Sequence, residues 1–210
     1  MELHLAAEKS GRCLKKLLLC SALAVLLAGC VQDTRHRVLI STADQRMVVL
    51  EDGVKIAEYP VSTSKFGLGD RPGSNATPLG ELKVRKKIGG DAPAGAVFKS
   101  RKPTGEVLAV DAPGRDPIVT RILWLDGQEV GNRNAFDRHI YIHGTPEERN
   151  IGTPASYGCI RMRSRDVIEL YDTLGVGARI YIVQKSFRPV APAVPAAPVP
   201  QGAGLTSEAH

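Results

Sequence analysis

Cysteine and aromatic residues are scarce in this sequence. Four cysteines occur in 210 residues, and aromatic side chains make up 5% of the chain. Cys13 and Cys20 lie within residues 1–30, an N-terminal segment that we expect to be a signal, and Cys30 ends that segment, so Cys159 is the single thiol of the domain that follows. One cysteine cannot form an internal disulfide, which excludes a disulfide-stapled scaffold. The few His and Asp residues show no zinc-type spacing, so we predict no metal and no cofactor.

A long apolar run is also missing. The apolar stretch 17–27 is much shorter than the roughly 20 residues needed to cross a bilayer as a helix. Lys15 and Lys16 precede it and Leu27-Ala28-Gly29-Cys30 closes it, which resembles a bacterial lipoprotein signal peptide with its lipobox. We therefore expect residues 1–30 to be a signal segment and Cys30 to carry lipid; an ordinary secretory signal is the alternative.

The expected lipid at Cys30 would attach the protein to a membrane of the bacterial envelope. Val31, rather than Asp, follows Cys30. By resemblance to lipoprotein sorting rules, this predicts the periplasmic face of the outer membrane.

Blocks of like charge are absent too. The formal net charge is +6, but Lys and Arg are scattered among Asp and Glu along the chain. This distribution argues against a nucleic-acid-binding surface. At the C-terminal end, residues 188–210 are rich in Pro and Ala without apolar periodicity, which predicts a disordered tail. The remaining residues, 36–187, have the size of one domain.

Short β-branched segments dominate that domain and predict a mostly β fold of two packed sheets. Asp52-Gly53 is a strong hairpin signal between two of these segments. One main helix is predicted at 164–174, capped by Ser164 and stopped by Gly175. The predicted strands are 38–42, 47–51, 54–61, 81–88, 97–99, 106–110, 118–125 and 178–184.

The candidate catalytic residues lie in two short segments. In 139–143 the alternation His-Ile-Tyr-Ile-His places His139, Tyr141 and His143 on one strand face, opposite two isoleucines. His143 is the better candidate base because Gly144 ends the strand and leaves room for a ligand. We treat His139 as structural. Cys159 follows His143 by one loop, and a nearby imidazole can make a thiol nucleophilic.

The residues around Cys159 also fit acyl transfer. Gly158 lets the backbone approach a substrate carbonyl, so that the Cys159 amide can contribute to an oxyanion hole. Arg161 either lowers the thiol pKa or binds a substrate carboxylate; a salt bridge with Asp166 or Glu169 is the alternative.

Together, His143-Gly144-Thr145, the run Ser156-x-Gly158-Cys159-Ile160-Arg161 and the upstream turn Thr77-Pro78-Leu79-Gly80 resemble the YkuD-type L,D-transpeptidases. The resemblance implies a β-sandwich-like domain with one main helix after the catalytic cysteine. It also implies peptidoglycan as substrate, with Cys159 as nucleophile, His143 as base and sensitivity to carbapenems. The enzyme would cleave a stem tetrapeptide before its terminal D-alanine and hold the acyl group as a thioester. A neighbouring stem, a protein or water would then accept it.

One motif position departs from the family. The usual second histidine, just before the glycine, is Tyr157 here. A phenol can donate a hydrogen bond to a carbonyl or an oxyanion, but it is neither cationic nor basic at neutral pH. We expect activation of Cys159 to survive because His143 is retained, and Tyr157 to retune rate or substrate choice.

Two other functions fit parts of the sequence. A catalytically weak peptidoglycan-binding lipoprotein would fit Tyr157 and the lipid anchor, but it needs no free thiol. A papain-like protease usually places cysteine before histidine, and the order here is reversed. The polar segment with Asn132, Arg133, Asn134 and Arg138 either lines the donor pocket or is a solvated loop.

Overall fold

A computed structural model describes residues 32–187 of the chain. The predicted signal segment 1–30 with Cys30 and the predicted tail 188–210 lie outside the described residues. Within 32–187, no helix has both the length and the apolar character that a bilayer crossing requires.

The described domain is mostly β, as predicted. Two short 3-10 turns, Val130–Asn132 and Glu148–Asn150, and one α-helix, α1 (Ser164–Thr173), interrupt the strands. The strands are β1 (His36–Ser41), β2 (Arg46–Glu51), β3 (Val54–Pro60), β4 (Gly80–Ile88), β5 (Ala96–Lys99), β6 (Lys102–Val107), β7 (Ile118–Gly127), β8 (Tyr141–Gly144), β9 (Ile160–Met162) and β10 (Arg179–Val183).

These strands form one hydrogen-bonded, mixed sheet. Its main path runs β3-β2-β1-β10-β4-β7-β5-β6, and β8 and β9 branch from β7. The first and last strands of the domain, β1 and β10, pair in parallel, as do β8 and β9. Val119 of β7 pairs with Val97 of β5 on one edge and with Gly144 of β8 on the other. Strand β7 therefore carries the branch that positions the candidate site.

The sheet folds over a main core, which gives the sandwich-like arrangement. Ile40 from β1, Leu125 from β7, Ile160 from β9 and Leu170 from α1 belong to the same buried cluster. Strands from distant parts of the hydrogen-bonded path therefore pack against each other. A second, more aromatic cluster with Phe98, Trp124 and Tyr141 lies apart from the main core.

Several local predictions are confirmed and others are wrong. The hairpin over Asp52-Gly53 forms between β2 and β3, with positive φ at both residues. The strand predicted at 106–110 is wrong, because the structure pairs 102–107 with β5. Strand β9 was not predicted. The helix is present but Ser164 does not cap it: its amide donates to Glu148 Oε1 at 2.7 Å, and its hydroxyl bonds with Thr120 Oγ1 at 2.9 Å.

Candidate active site

Cys159 immediately precedes β9 and is half-buried. In the parallel register Ile142 faces Ile160 and His143 faces Arg161, and both isoleucines point into the main core. Because side chains alternate along strands, Tyr141, His143, Cys159 and Arg161 share the opposite face. The topology therefore places His143 and Cys159 on one face of two neighbouring strands.

The turn that presents Cys159 is fixed by its own side chains. Ser156 Oγ donates to the Cys159 carbonyl at 2.5 Å and accepts the Gly158 amide at 3.2 Å. Gly158 has φ +115°, a conformation that side-chain-bearing residues rarely adopt. A Cβ there would lie 3.2 Å from the Ala76 carbonyl oxygen. Gly158 is therefore required by backbone geometry, and its amide is already engaged.

Thr77 connects this turn to the rest of the sheet. It is completely buried; its hydroxyl donates to the Gly158 carbonyl at 3.0 Å and accepts the Ser64 amide at 3.0 Å. Ser64 also bridges to Ser156 in a parallel arrangement. The Thr77 hydroxyl thus links the Thr-Pro-x-Gly turn to the cysteine turn by a hydrogen bond.

The polar segment before β8 holds this upstream loop in place. Arg138 pairs with Asp70 at 3.0 Å and donates to the Gly69 and Ala76 carbonyls at 3.0 and 2.6 Å. Asn134 also bonds with Asp70. Asn132 is buried and donates to two backbone carbonyls at the start of β4. These three side chains are structural supports, so the solvated-loop expectation is wrong for them; that they line the donor pocket stays a prediction.

His143 is buried and its tautomer is fixed. Its Nδ1 lies 2.8 Å from the Gly144 carbonyl oxygen. A carbonyl only accepts, so Nδ1 carries the proton and Nε2 of the neutral ring remains a base. The pKa of His143 is lowered to about 4, chiefly by burial and also by the Arg161 charge, while the Gly144 hydrogen bond and the Asp116 charge act in the opposite direction. The imidazole is therefore neutral at pH 7.

Gly144 is explained by close packing of strands. A Cβ at this position would lie 2.8 Å from the Val119 carbonyl oxygen and 3.1 Å from Thr120 Cβ. Strand β7 thus occupies the space beside Gly144. Close approach of the two backbones, rather than room for a ligand, accounts for this glycine.

Arg161 is buried and paired, but not with the partners considered from sequence. Its guanidinium forms an ion pair with Asp116 and lies 3.9 Å from Glu147 Oε2. The alternative pairing with Asp166 or Glu169 is therefore wrong. Because carboxylates already surround the guanidinium, Arg161 is poorly placed to bind a substrate carboxylate as well.

The Cys159 thiol is protonated in the resting site. Its Sγ donates to the His139 carbonyl oxygen at 3.3 Å. Burial raises the thiol pKa to about 11, although a backbone hydrogen bond with Tyr141 and the charges of Arg161 and Arg138 act in the opposite direction. The expected arginine effect is present, but desolvation outweighs it. The resting pair is thus a neutral thiol and a neutral imidazole.

Tyr157 lies at the protein surface. Its side chain is 57% exposed, and its hydroxyl accepts a hydrogen bond from Lys65 Nζ at 3.2 Å. Its ring contacts Phe66 at a centroid distance of 5.1 Å. The Tyr157 hydroxyl is thus engaged with Lys65, and its donation of a hydrogen bond to an oxyanion stays a prediction.

An aromatic group surrounds the other side of Cys159. Trp124 stacks on Phe136 at 4.1 Å, and Tyr141 meets the Trp124 ring edge-on at 5.5 Å. His139 has φ +59°, and its exposed ring packs beside Trp124, in agreement with a structural role. Cys159 packs against the same aromatic cluster.

Arg101 is a site residue that the sequence analysis missed. It lies at the tip of the β5–β6 hairpin, with its guanidinium 4.8 Å from the centre of the Trp124 ring and Nη1 3.4 Å from the Tyr141 hydroxyl. No motif marks it, because the turn Ser100-Arg101 lacks the usual Asn-Gly composition.

A cavity of about 430 Å³ opens between loop 89–95 and the β5–β6 hairpin. It shares Phe98 and Ala96 with the aromatic cluster, but neither Cys159 nor His143 lines it. Within residues 32–187, no three His, Cys, Asp or Glu side chains are grouped as metal ligands would be.

Comparison with known proteins identifies the family. The family model of the YkuD L,D-transpeptidase catalytic domain matches residues 35–182. YqjB of Bacillus subtilis, whose name places it among the L,D-transpeptidases, is 27% identical over 158 residues, which is 73% of this chain and 76% of that protein. YkuD of Bacillus subtilis, named likewise, is 47% identical over 83 residues, 40% of this chain and 46% of its own length.

A solved structure, L,D-transpeptidase 3 from Mycobacterium tuberculosis, aligns with a TM-score of 0.47 at 17% identity, covering 71% of this chain and 61% of that one. The family model alone covers well over half of the sequence and includes every candidate residue between Thr77 and Arg161. The chain therefore belongs to the YkuD family, and the domain described above is an L,D-transpeptidase catalytic domain.

Proposed function

We propose that this protein is a cysteine-dependent L,D-transpeptidase that acts on peptidoglycan stem tetrapeptides through a thioester. One observation carries the proposal: Cys159 and His143 share one face of paired strands, and the Gly144 carbonyl fixes the imidazole in the tautomer whose Nε2 can take a proton. Cys159 is the nucleophile and His143 the general base in this scheme.

The acylation step balances within this pair. Sγ attacks the carbonyl between the third residue and the terminal D-alanine, while Nε2 of His143 accepts the thiol proton. The tetrahedral intermediate collapses to a thioester, the C–N bond breaks, and His143 returns the proton to the amine of D-alanine. Because both groups are neutral at rest, the proton moves during the attack and no thiolate–imidazolium pair is held beforehand.

Deacylation uses the same base in reverse. An incoming amine loses its proton to Nε2 as it attacks the thioester, and the sulfur leaves to recover its proton. An amine on a neighbouring stem gives a cross-link, and an amine on a protein anchors that protein to the wall. Water as acceptor would give L,D-carboxypeptidase activity.

A second candidate is a catalytically weak peptidoglycan-binding lipoprotein. The raised pKa of Cys159 and the exposed Tyr157-Phe66 pair favour it. The ordered Ser156–Cys159 turn favours the enzyme, because binding alone does not require a cysteine held at a fixed position.

Location in the cell is part of the proposal. The run Leu27-Ala28-Gly29-Cys30 supports lipidation of Cys30, and Val31 supports placement at the periplasmic face of the outer membrane. Metabolic labelling with a fatty-acid analogue, compared between the wild type and Cys30→Ala, tests this point.

Intact-mass analysis with a carbapenem tests the nucleophile. The detergent-solubilised full chain should gain one adduct per molecule, and Cys159→Ala should gain none. Incubation with sacculi should then release D-alanine and yield cross-linked or anchored products in the wild type only. Binding to sacculi without adduct, D-alanine or new linkage would support the binding protein instead.

A further inference from the structure

Three arginines surround the Cys159 region, and their charges are compensated differently. Arg138 pairs with Asp70, and Arg161 pairs with Asp116. Arg101, by contrast, makes no ion pair with any carboxylate in residues 32–187; it contacts the Tyr141 hydroxyl and the Trp124 ring. The site therefore contains one half-buried cation without a counter-charge.

Arg101 contacts a side chain that lies next to Cys159. Tyr141 and Cys159 each precede a residue of the pair Ile142–Ile160, so the two side chains are neighbours on one face. The Tyr141 hydroxyl bonds with Arg101, and Cys159 packs in the same aromatic cluster as Tyr141. The guanidinium is thus one side chain away from the nucleophile.

The turn that carries Arg101 has a strained backbone. Lys99 pairs with Lys102, which leaves Ser100 and Arg101 as a two-residue turn with φ +48° and +66°. Such turns favour Asn and Gly, since left-handed φ is strained for a residue such as arginine. Strained backbone conformations cluster at functional sites, which supports a functional role for Arg101.

We propose that Arg101, with the Tyr141 hydroxyl, binds a carboxylate of the donor stem peptide and so aligns its scissile carbonyl with Cys159. The proposal rests on the proposed function. A guanidinium presents a planar fork that matches a carboxylate, and the Trp124 face limits its rotation. Two carboxylates of the donor fit this chemistry: that of the terminal D-alanine, and that on the side chain of the third residue when this residue is a dicarboxylic diamino acid.

Amidated donors distinguish the two sources. Three tetrapeptides are compared: the free acid, the C-terminal amide and the peptide amidated on the third side chain. For the full-length wild type, amidation of the recognised carboxylate should lower kcat/KM for release of the fourth residue about 10- to 100-fold. Amidation of the other carboxylate should change it less than threefold.

Three variants test the residue. Arg101→Asn removes the charge, and asparagine tolerates the left-handed backbone of the turn. This variant should have the same kcat/KM for the free acid and for the donor amidated on the recognised carboxylate. Arg101→Lys keeps the charge without the fork and should retain part of the preference. Lys102→Gln, exposed at the neighbouring position, should keep the wild-type preference.

A binding measurement separates this inference from the proposed function. The same donors are titrated calorimetrically into Cys159→Ala and into Cys159→Ala with Arg101→Asn. A preference for the free acid that disappears with Arg101→Asn supports the carboxylate site, even where the wild type forms no thioester. Equal binding of all donors to Cys159→Ala, or a preference that survives Arg101→Asn, would overturn the inference while leaving catalysis by Cys159 untouched.

Discussion

Replacing Thr77 by valine should damage both stability and acylation. The Thr77 hydroxyl is the buried link between Ser64 and Gly158, one residue before Cys159, the proposed nucleophile. Valine has nearly the same volume, so the change leaves no cavity and removes only the hydrogen-bonding group. Two buried backbone groups, the Ser64 amide and the Gly158 carbonyl, lose their partner.

The expected cost follows from these two groups. An unsatisfied buried donor or acceptor costs about 1–3 kcal/mol, so the free energy of unfolding should fall by about 2–6 kcal/mol. For a domain of this size, each kcal/mol corresponds to roughly 2–4 °C in Tm. Thr77→Ser retains the hydroxyl and should lose only about 1 kcal/mol for the missing methyl group.

Urea unfolding and the rate of carbapenem acylation measure the two effects separately. Thr77→Val should acylate at least tenfold more slowly at a temperature where it is fully folded, because the Gly158 carbonyl is no longer held. Thr77→Ser should acylate at nearly the wild-type rate. Ile180→Ala is the matched control: it empties a buried site in β10, costs about 2–5 kcal/mol, and should leave the acylation rate unchanged.

The reasoning is refuted if Thr77→Val unfolds at the wild-type urea midpoint and acylates within twofold of the wild type. It is also refuted if Ile180→Ala slows acylation as much as Thr77→Val does. In that case loss of stability alone, rather than positioning of the cysteine turn, would account for the slower reaction.

Three further predictions concern the charged and aromatic groups. The pKa of His143 is lowered from its usual 6.5 to about 4, so the unfolded chain binds this proton more readily than the folded domain does. The free energy of unfolding should therefore fall by about 3 kcal/mol as the pH drops from above 6.5 to 4. Urea titrations across that pH range should show this loss in the wild type, and His143→Gln should lack it. Tyr157→His should acylate within threefold of the wild type, because Tyr157 faces Lys65 and solvent; acylation by the mutant alone, with none by the wild type, would mean that the natural site is crippled. Asp116→Asn leaves the Arg161 guanidinium without its main counter-charge, so the free energy of unfolding should fall by about 3–5 kcal/mol. The uncompensated positive charge should also lower the pKa of Cys159, which the pH dependence of iodoacetamide labelling measures. An unchanged labelling profile would contradict this electrostatic coupling.

Local sequence patterns predicted the parts of the fold that depend on neighbours in the chain. Alternation identified β4, and Asp52-Gly53 located the β2–β3 hairpin, since both signals are contained within a few residues. The rare residues Cys159 and His143 indicated the site for a similar reason: few side chains can supply a nucleophile and a base.

Features that depend on distant partners were not predictable. The hydroxyl of Thr77 meets Gly158 across 81 positions, and Arg161 pairs with Asp116 rather than with an acidic residue of the adjacent helix. Strand β9 has only three residues, too few for a periodic pattern, and exists because β8 lies beside it. Arg101 reaches the site only because a strained two-residue turn brings the hairpin tip over Trp124.

The parallel pairing of β1 with β10 has a mechanical consequence. Parallel neighbours begin at the same end, so the chain enters the domain beside the start of β1 and leaves beyond the far end of β10. Opposed forces on these two points act along the strands and load the ladder in shear, so its hydrogen bonds share the load and must fail together. A domain pulled between two attachment points would resist far more in this geometry than if its end strands could be unzipped one bond at a time.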